Sequence, residues 1–184
     1  MQTYLETCKS LTSIFVLSLI AASTCQAQDE SDDGTVARNS LFVEVMGTGT
    51  LVSLNYDRIL LKKGPWGLAG RIGFTYTPIM EDFSDVGGPG IPVEISGLYG
   101  KRNNFFELGF GAAYHYVFDD SDDNHLLFLV PRIGYRYQKP AGGFFFRAAF
   151  TPWIPVVVDP EIDRFDPAWL PMLGVSIGHT LRVR

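Results

Sequence analysis

Residues Phe105–Asn124 read FFELGFGAAYHYVFDDSDDN. In an extended chain successive side chains point to opposite faces. Glu107, Gly109, Gly111, Ala113 and His115 therefore share one side, and Phe106, Leu108, Phe110, Ala112, Tyr114 and Tyr116 share the other. A water-soluble barrel would bury the bulky side and wet the small, polar one. A membrane barrel would do the reverse, so the choice of wet face decides the fold and most of the functional reading.

Period-2 alternation recurs along the chain and predicts a meander of about eight short strands, with no sustained 3.6-residue apolar period after the N-terminus. In SLFVEVMG, Leu41, Val43 and Val45 oppose Phe42, Glu44 and Met46, and in LVSLNYDRIL, Val52, Leu54 and Tyr56 oppose Ser53, Asn55 and Asp57. GLAGRIGFTYT sets Leu68, Ile72, Phe74 and Tyr76 against Ala69, Arg71, Gly73 and Thr75. IPVEISGLYG sets Val93, Ile95 and Tyr99 against Glu94 and Ser96, with Leu98 breaking the rule. After the opening stretch, LLFLVPRIGYRYQ opposes Leu127, Leu129, Ile133, Tyr135 and Tyr137 to Arg132, Gly134 and Arg136. FFFRAAFTPW opposes Phe144, Phe146 and Phe150 to Arg147, Ala149 and Thr151, and PMLGVSIGHTLR opposes Leu173, Val175, Ile177 and Leu181 to Gly174, Ser176, Gly178 and Thr180.

The connections alternate too. LKKGPWG, KRNN and KPAGG are short and basic, whereas PIMEDFSDVGGPG, FDDSDDNH and IPVVVDPEIDRFDPAW are longer and carry acids. One end of the sheet thus has short turns and the other long loops, the pattern of bacterial transmembrane barrels. The first connection, Gly47-Thr48-Gly49-Thr50, falls on the long-loop end yet is tight.

The side-chain sizes choose the wet face. The polar faces are loaded with Gly, Ala and Ser punctuated by charges of both signs, which suits the inside of a cylinder only just wide enough to be filled by side chains. The opposite faces are bulky almost throughout, with aromatics near strand ends at Tyr76, Tyr99, Tyr116, Tyr137, Phe144 and Trp169, where such rings sit at a lipid–water boundary. Leaving roughly thirty large apolar side chains in water would forfeit about 1.5–3 kcal/mol each, more than a marginally stable domain can lose. The expectation is an all-β, antiparallel up-and-down transmembrane β-barrel, with a water-soluble sandwich or barrel as the alternative.

Length and composition agree. The 184 residues suit one domain, and 46% hydrophobic residues, 14% aromatic, 19 Gly and 11 Pro exclude a disordered chain. A net charge of -5 and no Lys/Arg run longer than two residues argue against a nucleic-acid partner. Leu11–Ala22 is an apolar run too short to span a bilayer as a helix and suited to a signal-peptide core. Cleavage is placed after Ala27, with a lipoprotein signal at Cys25 as the rival reading, so residues 1–27 are read as a signal peptide. Both cysteines, Cys8 and Cys25, lie in that leader. Residues 28–39 read as a flexible acidic arm, and residues 40–184 as the barrel.

The leader, the alternating strands and the short-turn, long-loop pattern over Ser40–Arg184 resemble the small eight-stranded outer-membrane proteins of Gram-negative bacteria, the OmpA/OmpX-type barrels. The resemblance rests on architecture and implies a cell outer membrane location. It also implies a monomer, surrounded by outer-membrane lipids and lipopolysaccharide, with the barrel assembly machinery as a partner. Many such chains end in an aromatic residue, whereas this one ends His179-Thr180-Leu181-Arg182-Val183-Arg184.

The inward charges Glu44, Asp57, Arg71, Glu94, Glu107, Arg132, Arg136 and Arg147 are expected to pair, because isolated charges in a narrow lumen would be costly. A polar conduit or a proton-active site is the alternative. Small barrels that deacylate or palmitoylate lipid A make the three histidines worth testing, but His115 is followed by Tyr116-Val117 and His179 by Thr180-Leu181, so the His-x-Ser arrangement of the deacylases is missing. His125 begins the sixth segment beside an acidic loop. Ser53, Ser84, Ser96, Ser121 and Ser176 are the available nucleophiles, none with an evident base. The run Asp119-Asp120-Ser121-Asp122-Asp123-Asn124, alone or with Asp163 and Asp166, offers carboxylates to Ca²⁺ without EF-hand spacing. It reads first as a solvated loop. No catalytic, cofactor-binding or metal residue is assigned and no cofactor is expected. The function expected is that of an outer-membrane barrel with a plugged polar lumen and acidic outer loops, in a structural or surface-interaction role; the alternative is a lipid-A-processing enzyme or narrow transporter.

Overall fold

A computed structural model describes residues 37–77, 88–117, 124–157 and 169–182. The leader, the arm before Ala37, Ser84, Ser121, the acidic run Asp119–Asp123 and the acids Asp163 and Asp166 lie outside the described residues.

Among the described residues nine strands are formed: β1 (Asn39–Val45), β2 (Val52–Lys63), β3 (Trp66–Thr77), β4 (Gly88–Lys101), β5 (Asn104–Val117), β6 (Asn124–Gln138), β7 (Gly143–Phe150), β8 (Ile154–Val157) and β9 (Leu173–Leu181). Each pairs antiparallel with its neighbours from β1 to β6. β6 then pairs with β7 along one part of its length and with β8 along another. β9 pairs with both β7 and β1, which closes the sheet. β7 and β8 are two pieces of one broken strand, so the architecture is a closed antiparallel barrel of eight strands.

The break corrects the sequence pattern, which places Ile154–Val157 in a long connection, whereas these residues form β8. Pro152 and Pro155 remove two backbone donors from this stretch and interrupt the ladder. Trp153 nevertheless exchanges backbone hydrogen bonds with Leu170, 2.8 and 2.9 Å, and carries the pairing across the gap. Two other boundaries move in the same direction. β4 begins at Gly88 and β6 at Asn124, so the glycines and asparagine read as loop extend the wall toward the long-loop end. At the other end order is already present at Ala37, buried and donating to Pro140 O at 2.7 Å.

The pleat sorts the side chains as the alternation requires. Leu54, Ile72, Phe74, Ile95, Leu108, Phe110 and Leu173 stand outward, each more than half exposed. Inward, the register aligns Ser40, Asp57, Arg71, Glu94 and Gly111 on five successive strands. Because ladder hydrogen bonds run across tilted strands, this row climbs the lumen from the short-turn end toward the long-loop end, setting ionic side chains at staggered heights.

The inside is more apolar at its ends than the sequence reading allowed. Leu98, which broke the outward pattern, is inward and packs with Ile59, Ala69 and Phe105 near the short turns. Leu126, Phe128 and Val130, unassigned between the outward residues of β6, turn inward and join Ala113 and Trp153 near the long loops. Phe145 is also buried, stacked on Phe42 with ring centroids 4.8 Å apart. A run of consecutive apolar residues hides its own alternation, which is why the inward members of LLFLV and FFF were not separable by hydropathy.

Candidate functional site: the charged lumen

Between the two apolar clusters lie all eight charges read as inward from the alternation, Glu44, Asp57, Glu94, Glu107, Arg71, Arg132, Arg136 and Arg147, each no more than 6% exposed. They come from seven strands, β1 to β7, and β9 adds Ser176 as a donor to Glu44. Four carboxylates face four guanidinium groups, so the buried charge sums to zero.

Glu44 receives both ends of the Arg71 fork, at 2.6 and 3.1 Å, and Arg132 Nη2 at 2.7 Å. Its remaining acceptor positions take Ser176 Oγ at 3.2 Å and the Thr48 backbone N–H at 3.0 Å. Glu94 receives Arg132 Nε at 2.8 Å, Arg147 Nη2 at 2.5 Å, Ser96 Oγ at 2.8 Å and Thr48 Oγ1 at 3.2 Å. Asp57 is gripped by both terminal nitrogens of Arg136, whose Nε donates to Gln138 Oε1 at 2.9 Å. Glu107 is held more loosely: Arg147 Nε lies 2.9 Å and Arg136 Nη1 3.6 Å away, but neither is aligned as a hydrogen bond. Below the network, Arg71 and Arg147 sit over the Phe42 ring and Arg136 over Phe145, 5.0–5.6 Å from the centroids. Burying an ion costs several kcal/mol even after relaxation, and bidentate, hydrogen-bonded geometry of this kind is what offsets it.

The tight first connection explains itself here. Gly47, Thr48 and Gly49 are buried, because the turn folds into the barrel mouth instead of out into solvent. Thr48 bridges Glu44 and Glu94 and accepts from Arg132 Nη2 at 2.8 Å. Trp153 Nε1 donates to Gly47 O at 3.0 Å, and Thr75 Oγ1 to Gly49 O. A side chain at Gly47 would overlap the Glu44 carboxylate, and one at Gly174 would meet Gly47 Cα at 2.8 Å. Met46 and Thr50 adopt positive φ, 54° and 63°, to make the inward bend. The turn's role was missed in the sequence; the available signal was its shortness at the end where other connections are long.

The histidines are not brought together. His115 is buried beside Phe128 and Trp153, ring centroids 6.1 and 5.7 Å away, in space left by Gly90 across the ladder. Neither of its ring nitrogens has a hydrogen-bond partner among the described residues. His125 stands outward with its Nδ1 2.6 Å from the Tyr114 hydroxyl, and His179 pairs across from Leu41 on the outer wall. The described serines are engaged elsewhere: Ser53 accepts from Asn55, Ser96 donates to Glu94 and Ser176 to Glu44. None of these serines meets a histidine among the described residues. His115→Met, a change of similar bulk in an apolar setting, is therefore expected to cost less than about 1.5 kcal/mol, measured as the shift in urea midpoint of the refolded barrel; a larger loss would mean the ring makes a specific polar contact.

A closed eight-stranded antiparallel barrel with this inside-out distribution of charge has the architecture of the OmpA-type barrels, and the chain resembles them. In particular it is similar to the crystal structure of the N-terminal beta-barrel domain of Pseudomonas aeruginosa OprF, with a TM-score of 0.50 over 77% of this chain and 94% of that one. Sequence identity is 13%, so the likeness is one of fold. No family model matches the chain, and no curated protein matches it.

Proposed function

We propose that the chain is an outer-membrane β-barrel with a plugged polar lumen, acting as a monomer in a structural or surface-interaction role. The observation that carries the reading is the inversion of polarity: thirty large apolar side chains among the described residues are exposed, while all four described carboxylates are buried in the lumen. Exposed apolar surface on that scale is far beyond the single patches of soluble monomers and matches a wall solvated by lipid. The aromatic pairs Trp66–Tyr99 and Tyr137–Phe144, 4.6 and 6.1 Å between centroids, sit near the short turns and suit one interface. The acidic connections join strands at the opposite end, the side assigned in this reading to lipopolysaccharide or a surface partner, and insertion falls to the barrel assembly machinery.

Two measurements test this. The native chain should occur in outer-membrane fractions with heat-modifiable gel mobility; a chain that remains in the soluble fraction sinks the reading. Reconstituted in planar bilayers it should show no stable open conductance, since the neutralised network and two apolar clusters occupy the lumen. A persistent open channel would favour the narrow-transporter alternative and would depend on Glu94, Glu107, Arg132 or Arg147.

A further inference from the structure

The outer wall is not uniformly apolar, and its cations are placed asymmetrically. The short turns carry Lys62, Lys63, Lys101 and Arg102. Arg38 and Arg58 lie together beside the start of β1: the Ile59 N–H donates to Arg38 O at 2.8 Å, and Arg58 pairs in register with Asn39. Lys139 follows β6 and Arg182 follows β9, at the same end. Every described Lys or Arg outside the lumen thus belongs to the short-turn end. The described acids are Glu44, Asp57, Glu94 and Glu107, all enclosed, so none of these outer cations has a carboxylate partner among the described residues.

An apolar groove of about 600 Å³ opens beside Arg58. Its floor is at Gly70, which has no side chain, and its walls include Tyr56, Leu60, Ile72, Ile95 and Phe110. A second hollow, about 400 Å³, lies between the short turns against Lys62, Lys101 and Arg102. A phosphodiester is the ligand that both features fit: a guanidinium fork binds phosphate bidentately, and the groove next to it has the apolar lining that an acyl chain requires. A folded protein partner would match the charge but not a groove running up a lipid-facing wall.

We propose that the short-turn end is a binding collar for anionic phospholipid, with the headgroup phosphate at Arg58 and Arg38 and one acyl chain in the Gly70 groove. This rests on the reading of the outer wall as lipid-facing. The collar anchors the barrel at the leaflet on the short-turn side and fixes its height in the bilayer, because attraction of basic residues to an anionic surface adds up per side chain and falls off within a Debye length.

The test uses the full chain refolded into vesicles of equal parts phosphatidylglycerol and phosphatidylcholine, extracted in non-ionic detergent, with retained lipid counted by native mass spectrometry. Phosphatidylglycerol should be retained in preference, and the preference should fade as salt is raised. Each cation removed should weaken retention by about fivefold, so Arg38→Gln with Arg58→Gln should abolish most of it, while the same pair of changes leaves heat-modifiable mobility intact. Gly70→Leu, which fills the groove without altering charge, should release the lipid as well. Equal retention of the two lipids overturns the proposal, as does unchanged retention in the charge variant or displacement by inorganic phosphate alone. A chain that never enters the vesicles overturns the membrane reading itself; one that inserts with heat-modifiable mobility but shows no lipid preference overturns only the collar.

Discussion

Glu94→Gln should destabilise the refolded barrel by about 3–5 kcal/mol, the usual cost of leaving a buried ionic network short of one charge. The substitution keeps the size of the side chain and removes only the negative charge. Arg132 and Arg147, donating to different oxygens at 2.8 and 2.5 Å, would lose their shared negative charge and one of them would face an amide NH2 in place of an acceptor, while Arg71 would lose a second carboxylate at 3.5 Å. The lumen would change from neutral to singly positive with no exposed side to which a guanidinium could turn, since Arg132 and Arg147 are essentially inaccessible. Urea-induced unfolding in vesicles measures the loss. The paired change Glu94→Gln with Arg147→Met restores the balance of charge, and should cost less than the sum of the two single changes, as expected of residues sharing one network. Losses below about 1 kcal/mol for Glu94→Gln would show that water reaches the carboxylate and screens it. That outcome would also predict a conducting lumen, so the stability and conductance measurements check each other.

How far the sequence reveals such a network depends on which link is asked for. Inward placement of Glu44, Asp57, Arg71, Glu94 and Arg147 follows from period 2 alone: Glu44 and Glu94 sit between two bulky apolar neighbours, and Asp57, Arg71 and Arg147 have one such neighbour each, on strands whose other face is mostly bulky and apolar. Their pairing partners do not follow. Glu44 on β1 meets Arg132 on β6, a contact fixed by closure, tilt and register of the whole barrel. Alternation says nothing about those quantities. The apolar clusters were hidden for a different reason: in Leu126–Val130 and Phe144–Phe146 both faces are apolar, so the pattern carries no phase. The broken seventh strand was hidden because prolines at 152 and 155 mimic a loop boundary, although pairing resumes at Ile154. The buried turn was hidden because Gly47-Thr48-Gly49-Thr50 has turn chemistry whether it points outward or inward; only the carboxylates of Glu44 and Glu94, waiting for donors inside, draw it in.

The outer wall gives the other large effect. Phe110→Arg places a charge in the middle of β5 on a side chain that is 53% exposed, so its consequence depends on what solvates it. At a bilayer midplane the change should cost about 2–4 kcal/mol, and near an interface only about 0–1 kcal/mol. Tyr114→Arg, on the same face but toward the long-loop end of the strand, is therefore the internal control: scored against Tyr114→Phe, which already removes the hydroxyl's contact with His125 Nδ1, it should be nearly neutral. In water the gradient would vanish, because exposed substitutions away from any special feature stay within about ±0.5 kcal/mol and an arginine is better hydrated than phenylalanine. Folding both variants into vesicles and comparing their unfolding free energies with the parent separates the two solvents by the difference between positions, a quantity insensitive to errors common to both. A penalty at Phe110 several times that at Tyr114 requires a hydrocarbon slab around the barrel. Equal and small penalties would instead leave thirty exposed apolar side chains to be covered by something other than lipid, and the packed, neutral lumen would have to be explained without a membrane around it.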